Sequence, residues 1–381
     1  MQRNAKIAVI LTILGVLIIG MGVSYAGDHG DKTVEAEVLE FDFFHNAKLD
    51  TTFDDLQKIG VDYGDDLLAT LGDQSLVAVM ARDYNGIASY EGFVVWKNSE
   101  IMFGVFNYQL QKMMTIKEGD VVTISKIGRN PYADKIPNYS KKYSSDPDDF
   151  PSMEVFSNFR MVDEGEVTPG LLYRSASPWT SGNRAPYADE FYRENGVDCL
   201  ICMDASYETI AKYVDEHPDY YASELFKQGK VICGEYETLI HSFPEQTKKF
   251  MDTFLESEGS IGIFCKLGRD RTGLYCAILE GLAGASYQEI RDDYMESICN
   301  YFGIVKDSEE YKVILDMYTN REFFLFNHYE QVPSIPNIKW RDLEYIEYDP
   351  EAVFTKYLID YVGMDADKVQ AVKDKLEGMG F

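Results

Sequence analysis

The residues most able to do chemistry lie in one short segment, Cys265 to Gly273, whose sequence is CKLGRDRTG. Cys265 is the only one of the six cysteines that has an arginine, Arg271, six positions further on. A cysteine thiolate is a strong nucleophile, and a guanidinium can bind two phosphate oxygens at once through its planar fork. The pair therefore predicts attack of sulfur on phosphorus, with a cysteinyl-phosphate as the intermediate.

The elements on either side of this segment must turn its backbone amides toward an anion. An apolar run at residues 260–264 precedes Cys265 and an amphipathic segment at residues 274–282 follows it, which predicts a strand, a loop and a helix in that order. The amides at the start of such a helix bind phosphate and favour a thiolate beside them. Gly268 and Gly273 permit the tight backbone path and the close approach of phosphate that a side chain would obstruct.

No metal and no cofactor are predicted, because the thiol and the loop amides supply the nucleophile and the charge stabilisation. Thr272 is placed to donate a hydroxyl hydrogen bond to the sulfur when water hydrolyses the intermediate. Cys199 and Cys202 form a CxxC, but no second pair matches it and its segment is apolar, so it indicates a metal site only weakly.

This segment resembles the catalytic loop of the protein tyrosine phosphatase superfamily, and most closely that of bacterial tyrosine phosphatases with the signature His-Cys-x-x-Gly-Lys-Asp-Arg-x-Gly. Two upstream stretches, Asn158-Phe159-Arg160 and Leu172-Tyr173-Arg174-Ser175, are similar to further elements of that family. Downstream, residues 284–286 (Gly-Ala-Ser) and 293–295 (Asp-Tyr-Met) also fit. The resemblance covers about residues 155 to 380 and implies a phosphatase-type central sheet flanked by helices.

Three departures from the family pattern bear on the thiol and on substrate choice. Phe264 stands where the family has histidine, Arg269 stands where it has lysine, and residues 201–204 (Ile-Cys-Met-Asp) replace a strand-end Asp-Leu-Arg element. The hydrogen bonds that tune the thiol therefore differ. The rigid guanidinium of Arg269 keeps the positive charge but can shift substrate preference. Asp204 is a candidate substitute for the strand-end aspartate.

A general acid must protonate the leaving oxygen, and the sequence contains no separate Trp-Pro-Asp loop to supply one. Asp270 is the first candidate, since related bacterial enzymes carry aspartate there; the alternative is that it orients Arg271 or faces solvent. Asn158 and Arg160 are expected to tie loops together, whereas Arg174 is predicted to line the pocket. The predicted phosphate-binding and substrate-binding residues are Lys266, Leu267, Gly268, Arg269, Gly273, Arg174 and Asp204.

Hydrolysis of phosphotyrosine in a protein is the first functional hypothesis. Lys266 and Arg269 place basic groups on both sides of the loop, which motivates the alternative of a phosphoinositide or inositol polyphosphate phosphatase. Phe264 motivates a third, a phosphate-binding pseudophosphatase, although Cys265 and Arg271 are intact. The expected partner is a phosphorylated protein or a small phosphorylated molecule.

The formal net charge of −28 argues against nucleic acid as a partner. Such an acidic surface also repels a polyanionic substrate at long range. The catalytic pocket should therefore stand out as a positive island on this chain.

The first 26 residues have the layout of a secretory signal: a basic start, an apolar run at residues 7–23, and small Ser24 and Ala26 at the end. We expect an extracytoplasmic protein, either secreted after cleavage or anchored to the membrane by residues 7–23.

The rest of the chain divides by composition. Residues 35–145 alternate short β-like runs with turn residues and predict a small β-rich domain. A polar, proline-containing stretch at residues 138–152 predicts a linker. Residues 153–381 alternate strands with amphipathic helices and predict an α/β phosphatase domain, in which Ser286 and Glu289 form a helix capping box.

Overall fold

The computed structural model describes residues 32–84, 87, 90–106, 108–130, 133, 144–234, 236, 244–329 and 347–379. Residues 33–381 belong to one compact unit. The predicted leader, residues 1–26, lies outside the described residues, and so do residues 138–143 of the predicted linker. Within the described ranges, no helix is both long and apolar enough to cross a membrane.

Alternation of apolar and polar residues builds the first part of this unit into a closed barrel. Ala36 and Val38 of the first strand are buried while Glu35 and Glu37, which alternate with them, are exposed, so one face of the strand points into the barrel. The seven strands are β1 (Thr33–Phe41), β2 (Ala47–Leu49), β3 (Asp65–Leu71), β4 (Gln74–Ala81), β5 (Gly92–Lys97), β6 (Glu100–Val105) and β7 (Val121–Arg129). The predicted β-rich region is therefore confirmed.

The barrel closes in the order β1-β2-β6-β5-β4-β3-β7. Each neighbouring pair is antiparallel except β4 and β5, which are parallel. Two short helices, α1 (Phe53–Lys58) and α2 (Leu110–Met113), join its strands. Thr52 caps α1 by accepting a hydrogen bond from the Asp55 amide at 3.2 Å.

A second sheet carries the predicted phosphatase region and has five strands in the order β11-β10-β12-β9-β8. They are β8 (Arg160–Met161), β9 (Leu172–Ala176), β10 (Cys199–Cys202), β11 (Val231–Cys233) and β12 (Ile261–Cys265). Strands β9 to β12 are parallel, and β8 is antiparallel at the edge. Every residue of β10 and β12 is buried, as parallel strands require when helices cover both faces of a sheet.

Helices cover both faces of this sheet, which confirms the predicted α/β class. They are α3 (Met153–Ser157), α4 (Ala185–Glu194), α5 (Tyr207–Glu216), α6 (Tyr221–Lys227), α7 (Pro244–Glu256), α8 (Asp270–Leu282), α9 (Tyr287–Phe302), α10 (Glu309–Ile314), α11 (Asn320–Asn327), α12 (Pro350–Lys356) and α13 (Ala366–Leu376). Phe250 of α7 and Ile278 of α8 belong to the core on one face, and Tyr192 of α4 and Leu225 of α6 to the core on the other. The capping box of Ser286 is present at the start of α9.

The barrel packs against helices that follow the catalytic segment. Leu325 of α11 shares a buried apolar cluster with Val94 and Phe103 of the barrel. Val313 of α10 packs in a second cluster with Phe93 of the barrel. These contacts fix the barrel beside the catalytic half of the unit.

Candidate active site

The catalytic segment lies where β12 ends and α8 begins, in the predicted order of strand, loop and helix. Cys265 is the last residue of β12, and Asp270 is the first of α8. Because β12 lies between the parallel strands β9 and β10, Cys265 sits at the carboxyl edge of the sheet, where α/β proteins bind their ligands. Cys265 is only 5% exposed and borders a cavity.

Phe264 points away from this cavity because side chains alternate along a strand. Its ring is fully buried and packs edge-on to Trp179 at 5.8 Å and at a tilt to Tyr192 at 6.5 Å between ring centroids. Cys265 belongs to the core on the opposite face of the sheet. The position that is histidine in the family therefore fills the core here, and its ring offers the thiol no hydrogen bond.

The two glycines of the catalytic segment, one in the loop and one in the first turn of α8, are needed for different reasons. Gly268 has a φ of +63°, and a Cβ there would lie 2.2 Å from the carbonyl oxygen of Ser175. A Cβ at Gly273 would instead lie 2.7 Å from the ring of Tyr294 in α9. Gly273 therefore allows close packing of two helices, and the prediction that both glycines clear space for phosphate stays a prediction.

Asn158 holds the loop from behind. Its Nδ2 donates to the carbonyl oxygens of Leu267 at 3.1 Å and Gly268 at 3.0 Å. Its Oδ1 accepts from Arg160 at 2.9 Å and from Asn300 at 3.2 Å. Both ends of the amide are therefore occupied, and the loop is tied to α9 through it.

The structure corrects the prediction for Arg174, which lies behind the loop and does not line the pocket. Its side chain is fully buried. Its Nη2 donates to the carbonyl oxygen of Gly268 at 3.1 Å and to Ser297 Oγ at 3.0 Å, and its Nη1 donates to Asp293. Arg174 stands opposite Ile263 on the neighbouring strand, so its side chain reaches the loop from the sheet side. It is a positioning residue.

Asp293 is the anion on which this support depends, and sequence reasoning assigned it no role. It accepts from Arg160 Nε at 2.7 Å and from Arg174. Burial alone would raise the pKa of Asp293, but the two guanidiniums outweigh it and hold the pKa below its usual value. Glu164 and Glu280 bring carboxyl oxygens within 4.8 Å of this group. Burial raises the pKa of Glu280 well above its usual value and that of Glu164 to about 7.

Arg269 and Asp270 pair with each other. Arg269 donates from Nε to Oδ1 at 2.9 Å and from Nη2 to Oδ2 at 3.0 Å. The guanidinium also lies 5.0 Å from the ring centroid of Tyr301 and 5.1 Å from that of Phe302. Asp270 therefore orients Arg269, whereas the sequence had suggested that it acts as general acid, orients Arg271 or faces solvent.

The Thr272 hydroxyl is buried and has no hydrogen-bond partner within the described part of the chain. The predicted bond from Thr272 to the Cys265 sulfur belongs to the hydrolysis of the intermediate and stays a prediction. The hydroxyl has no competing acceptor there that would prevent it from donating to the sulfur later in the reaction.

Arg271 and Asp204 both line the cavity beside Cys265. Arg271 Nη1 donates to the carbonyl oxygen of Met203 at 3.4 Å. Asp204 accepts from Thr180 Oγ1 at 3.0 Å. Burial raises the pKa of Asp204, and the Thr180 hydrogen bond and the Arg271 charge oppose this rise only in part. A carboxyl group with a raised pKa can hold a proton for a leaving group.

The cavity at Cys265 has a volume of about 480 Å³. The catalytic half contributes Asp204, Cys265, Lys266, Leu267, Arg269, Asp270 and Arg271 to its lining. Of the predicted site residues, Thr272, Gly268, Gly273 and Arg174 lie around the loop and are not part of that lining.

The barrel supplies the other side of the same cavity, which sequence reasoning missed entirely. Its contribution consists of Asp42, Phe44, Asn46, Tyr84, Phe93, Lys97, Val105, Phe106 and Tyr108. The described lining as a whole holds four cations, three carboxylates and five aromatic rings. It is thus slightly positive on a chain whose net charge is −28, in keeping with the expected positive island.

Comparison with known proteins finds that residues 208–377 match the family model described as the tyrosine phosphatase family. The matched stretch includes the whole Cys265 to Gly273 segment and is less than half of the chain. This match supports a phosphatase of the protein tyrosine phosphatase superfamily. No curated protein matches the chain.

Two solved structures share limited similarity with the chain. An uncharacterised conserved protein from Thermotoga maritima is 24% identical over 25% of this chain and 36% of its own, with a TM-score of 0.24. The core catalytic domain of the PP-IP phosphatase SIW14 from S. cerevisiae, in complex with citrate, is 15% identical over 49% of this chain and 100% of its own, with a TM-score of 0.23. At these TM-scores neither likeness bears on fold or function.

Proposed function

We propose that this chain hydrolyses phosphomonoesters through a cysteinyl-phosphate on Cys265, and that phosphotyrosine in proteins is its preferred substrate. The observation that carries the proposal is that Cys265 and Arg271 line one cavity at the start of α8. A nucleophile, a phosphate-binding guanidinium and the free amides of a helix N-terminus then converge on one phosphoryl group.

The first chemical step transfers the phosphoryl group to sulfur. The Cys265 thiolate attacks phosphorus, the bond from phosphorus to the leaving oxygen breaks, and that oxygen takes up a proton. Arg271 and the loop amides bind the equatorial oxygens, on which charge is concentrated in the transition state. In the second step water attacks the cysteinyl-phosphate and releases inorganic phosphate and the thiolate, which can accept a hydrogen bond from Thr272.

We propose Asp204 as the proton donor in the first step. Its raised pKa and its place in the cavity lining fit a carboxyl group that is protonated before attack. Asp270 fits less well, because both of its oxygens accept hydrogen bonds from Arg269.

The preference for phosphotyrosine rests on the walls of the cavity. Five aromatic rings line it, and they suit an aryl leaving group. Arg269 is 3% exposed and already paired with Asp270, so its charge is poorly placed for a second phosphate. Both features favour a substrate with one phosphate on an aromatic ring over an inositol polyphosphate.

The test of this function is an assay of purified full-length protein, under reducing conditions, on phosphotyrosine and phosphoserine peptides, phosphoinositides and inositol polyphosphates. We expect the highest kcat/KM on the phosphotyrosine peptide. Cys265→Ser should abolish turnover of every substrate, whereas Cys299→Ser, a partly buried thiol in α9, should retain it. Higher activity on inositol polyphosphates would overturn the substrate preference, and phosphate binding without turnover would indicate a pseudophosphatase.

The proton donor is tested with two aryl phosphates whose leaving groups differ in basicity. A variant that lacks the general acid loses more activity on phenyl phosphate, a poor leaving group, than on 4-nitrophenyl phosphate, because only the former needs the proton. We expect this pattern in Asp204→Asn, with a loss of about 10²-fold or more on phenyl phosphate. The acid would be reassigned to Asp270 by two results together. Asp270→Asn would lose more activity on phenyl phosphate than on 4-nitrophenyl phosphate, and Asp204→Asn would lose the same activity on both.

A further inference from the structure

An exposed phenylalanine stands at the mouth of the cavity, on the loop between β1 and β2. Phe44 is 57% exposed and lines the cavity. Its neighbour Phe43 is 82% exposed and is not part of the described lining. Of these two exposed rings, Phe44 is the one on the described lining of the cavity that also holds Cys265, where it can contact a substrate.

The loop that carries Phe44 has a defined shape. Oδ1 of Asp42 accepts hydrogen bonds from the amides of Phe44 at 2.9 Å and Asn46 at 2.8 Å. Oδ2 of Asp42 accepts from Asn46 Nδ2 at 3.1 Å. His45 completes the turn with a φ of +62°. The backbone of Phe44 is therefore set before any substrate binds, which lowers the backbone entropy lost on binding.

Tyr84 forms a second aromatic wall of the same cavity. Its ring packs edge-on against Phe93, with 5.3 Å between centroids, and the Lys97 ammonium lies 4.6 Å from its centroid. Burial raises the pKa of Tyr84 to about 12, so its phenol is neutral under physiological conditions. A neutral ring held by two neighbours is a suitable surface for another ring.

The barrel is also held firmly enough to serve as a wall of the active site. Phe93 lines the cavity and, in the same buried cluster, packs with Val313 of α10. Phe106, another lining residue, packs both against this cluster and against the core of the catalytic half. A substitution on the barrel side of the cavity therefore alters the cavity that holds Cys265.

We propose that the barrel forms the leaving-group subsite of the enzyme, with Phe44 and Tyr84 as the residues that bind the substrate's aromatic ring. The inference rests on the proposed function, and it adds the part of the chain that selects an aryl phosphate. The catalytic loop binds the phosphoryl group, and the barrel residues across the cavity contact what is attached to it.

Binding rather than turnover gives the cleanest test, because it does not depend on catalysis. Benzylphosphonate and methylphosphonate present the same phosphonate, and only the former carries a ring. Their dissociation constants are measured by titration of full-length protein. The dissociation constant of methylphosphonate divided by that of benzylphosphonate isolates the contribution of the ring.

We expect the wild-type protein to bind benzylphosphonate more tightly than methylphosphonate. Phe44→Ala should reduce that ratio about two- to tenfold, the range of a single aromatic contact. Tyr84→Leu should reduce it similarly. Leu39→Ala is the matched control, since Leu39 is a 46% exposed apolar residue of β1 outside the described lining, and it should leave the ratio unchanged. Methylphosphonate should bind equally well to all four proteins.

An unchanged ratio in both Phe44→Ala and Tyr84→Leu would overturn the proposal, as would a wild-type ratio near one or an equal loss in Leu39→Ala. None of these outcomes affects the cysteine mechanism, which fails only if Cys265→Ser retains turnover. The two proposals can therefore fail separately.

Discussion

The buried charge of Asp293 should be one of the strongest single supports of the fold around the catalytic loop. Its side chain is 2% exposed, and it is the anion shared by Arg160 and the fully buried Arg174. Asp293→Asn removes that charge and changes the size of the side chain very little. Arg174 would then remain buried without its counter-charge. The carboxylate that positions Arg174 to donate to the Gly268 carbonyl would also be gone.

The expected loss follows from the cost of leaving one charge of a buried pair uncompensated, which is about 3–5 kcal/mol. Glu280 and Glu164 could reduce that loss, because either carboxyl can ionise once Asp293 no longer carries charge. We therefore place the change in a background that carries both Glu280→Gln and Glu164→Gln, where neither carboxyl can replace the charge. In that background Asp293→Asn should lower the free energy of unfolding by about 3–5 kcal/mol.

Chemical denaturation followed by circular dichroism measures this difference. The matched control is Asp292→Asn, one residue earlier in the same helix, where a partly exposed carboxylate pairs with Lys306 at 3.1 Å. That change should cost no more than about 1 kcal/mol, as surface ion pairs do. If Asp293→Asn in the background that carries Glu280→Gln and Glu164→Gln lowered the free energy of unfolding by no more than the Asp292→Asn control, the loop would not depend on this buried charge.

Two further predictions concern the loop and its support. Gly268→Ala should destabilise the protein and sharply lower kcat/KM, because its Cβ would meet the Ser175 carbonyl at 2.2 Å. The control is Gly303→Ala, at a glycine with φ +65° and open space around it. It should lower the free energy of unfolding by only about 1–2 kcal/mol and leave kcat/KM intact. Equal kcat/KM in the two variants would contradict the close approach. For Glu164, burial and the Asp293 charge raise the pKa from 4.5 to about 7, so the folded state holds this proton more tightly than the unfolded state. The stability that this proton provides is complete below pH 4.5 and is lost as the pH rises to about 7. After allowance for partial exposure, this loss of unfolding free energy is about 1–2 kcal/mol. Glu164→Gln should abolish the loss when unfolding curves are measured across that pH range. A pH profile of stability identical to that of the wild type would refute the raised pKa of Glu164.

The parts of this site that the sequence could predict are those encoded locally. Cys265, Arg271 and the glycines lie within nine consecutive residues, and the apolar run before them and the helix after them are visible as patterns. The start of α9 was predictable for the same reason, since a capping box needs only Ser286 and Glu289.

The parts that could not be predicted depend on packing between distant segments. Arg174 was expected to line the pocket, but Asp293 and Ser297 of α9 bind its guanidinium behind the loop. Nothing in the sequence near Phe44 connects it with Cys265, since more than two hundred residues separate them. The only local signal was a pair of adjacent phenylalanines, Phe43 and Phe44, in an otherwise polar turn.

The central claim is that Cys265 carries the phosphoryl group during turnover. The most direct measurement is rapid acid quenching of the full-length protein during hydrolysis of a phosphotyrosine peptide, followed by mass spectrometry of the peptide that contains Cys265. We predict phosphate on Cys265 in the wild-type protein and none after Cys265→Ser. Sustained turnover with no phosphate on Cys265, and with activity retained in Cys265→Ser, would contradict the account.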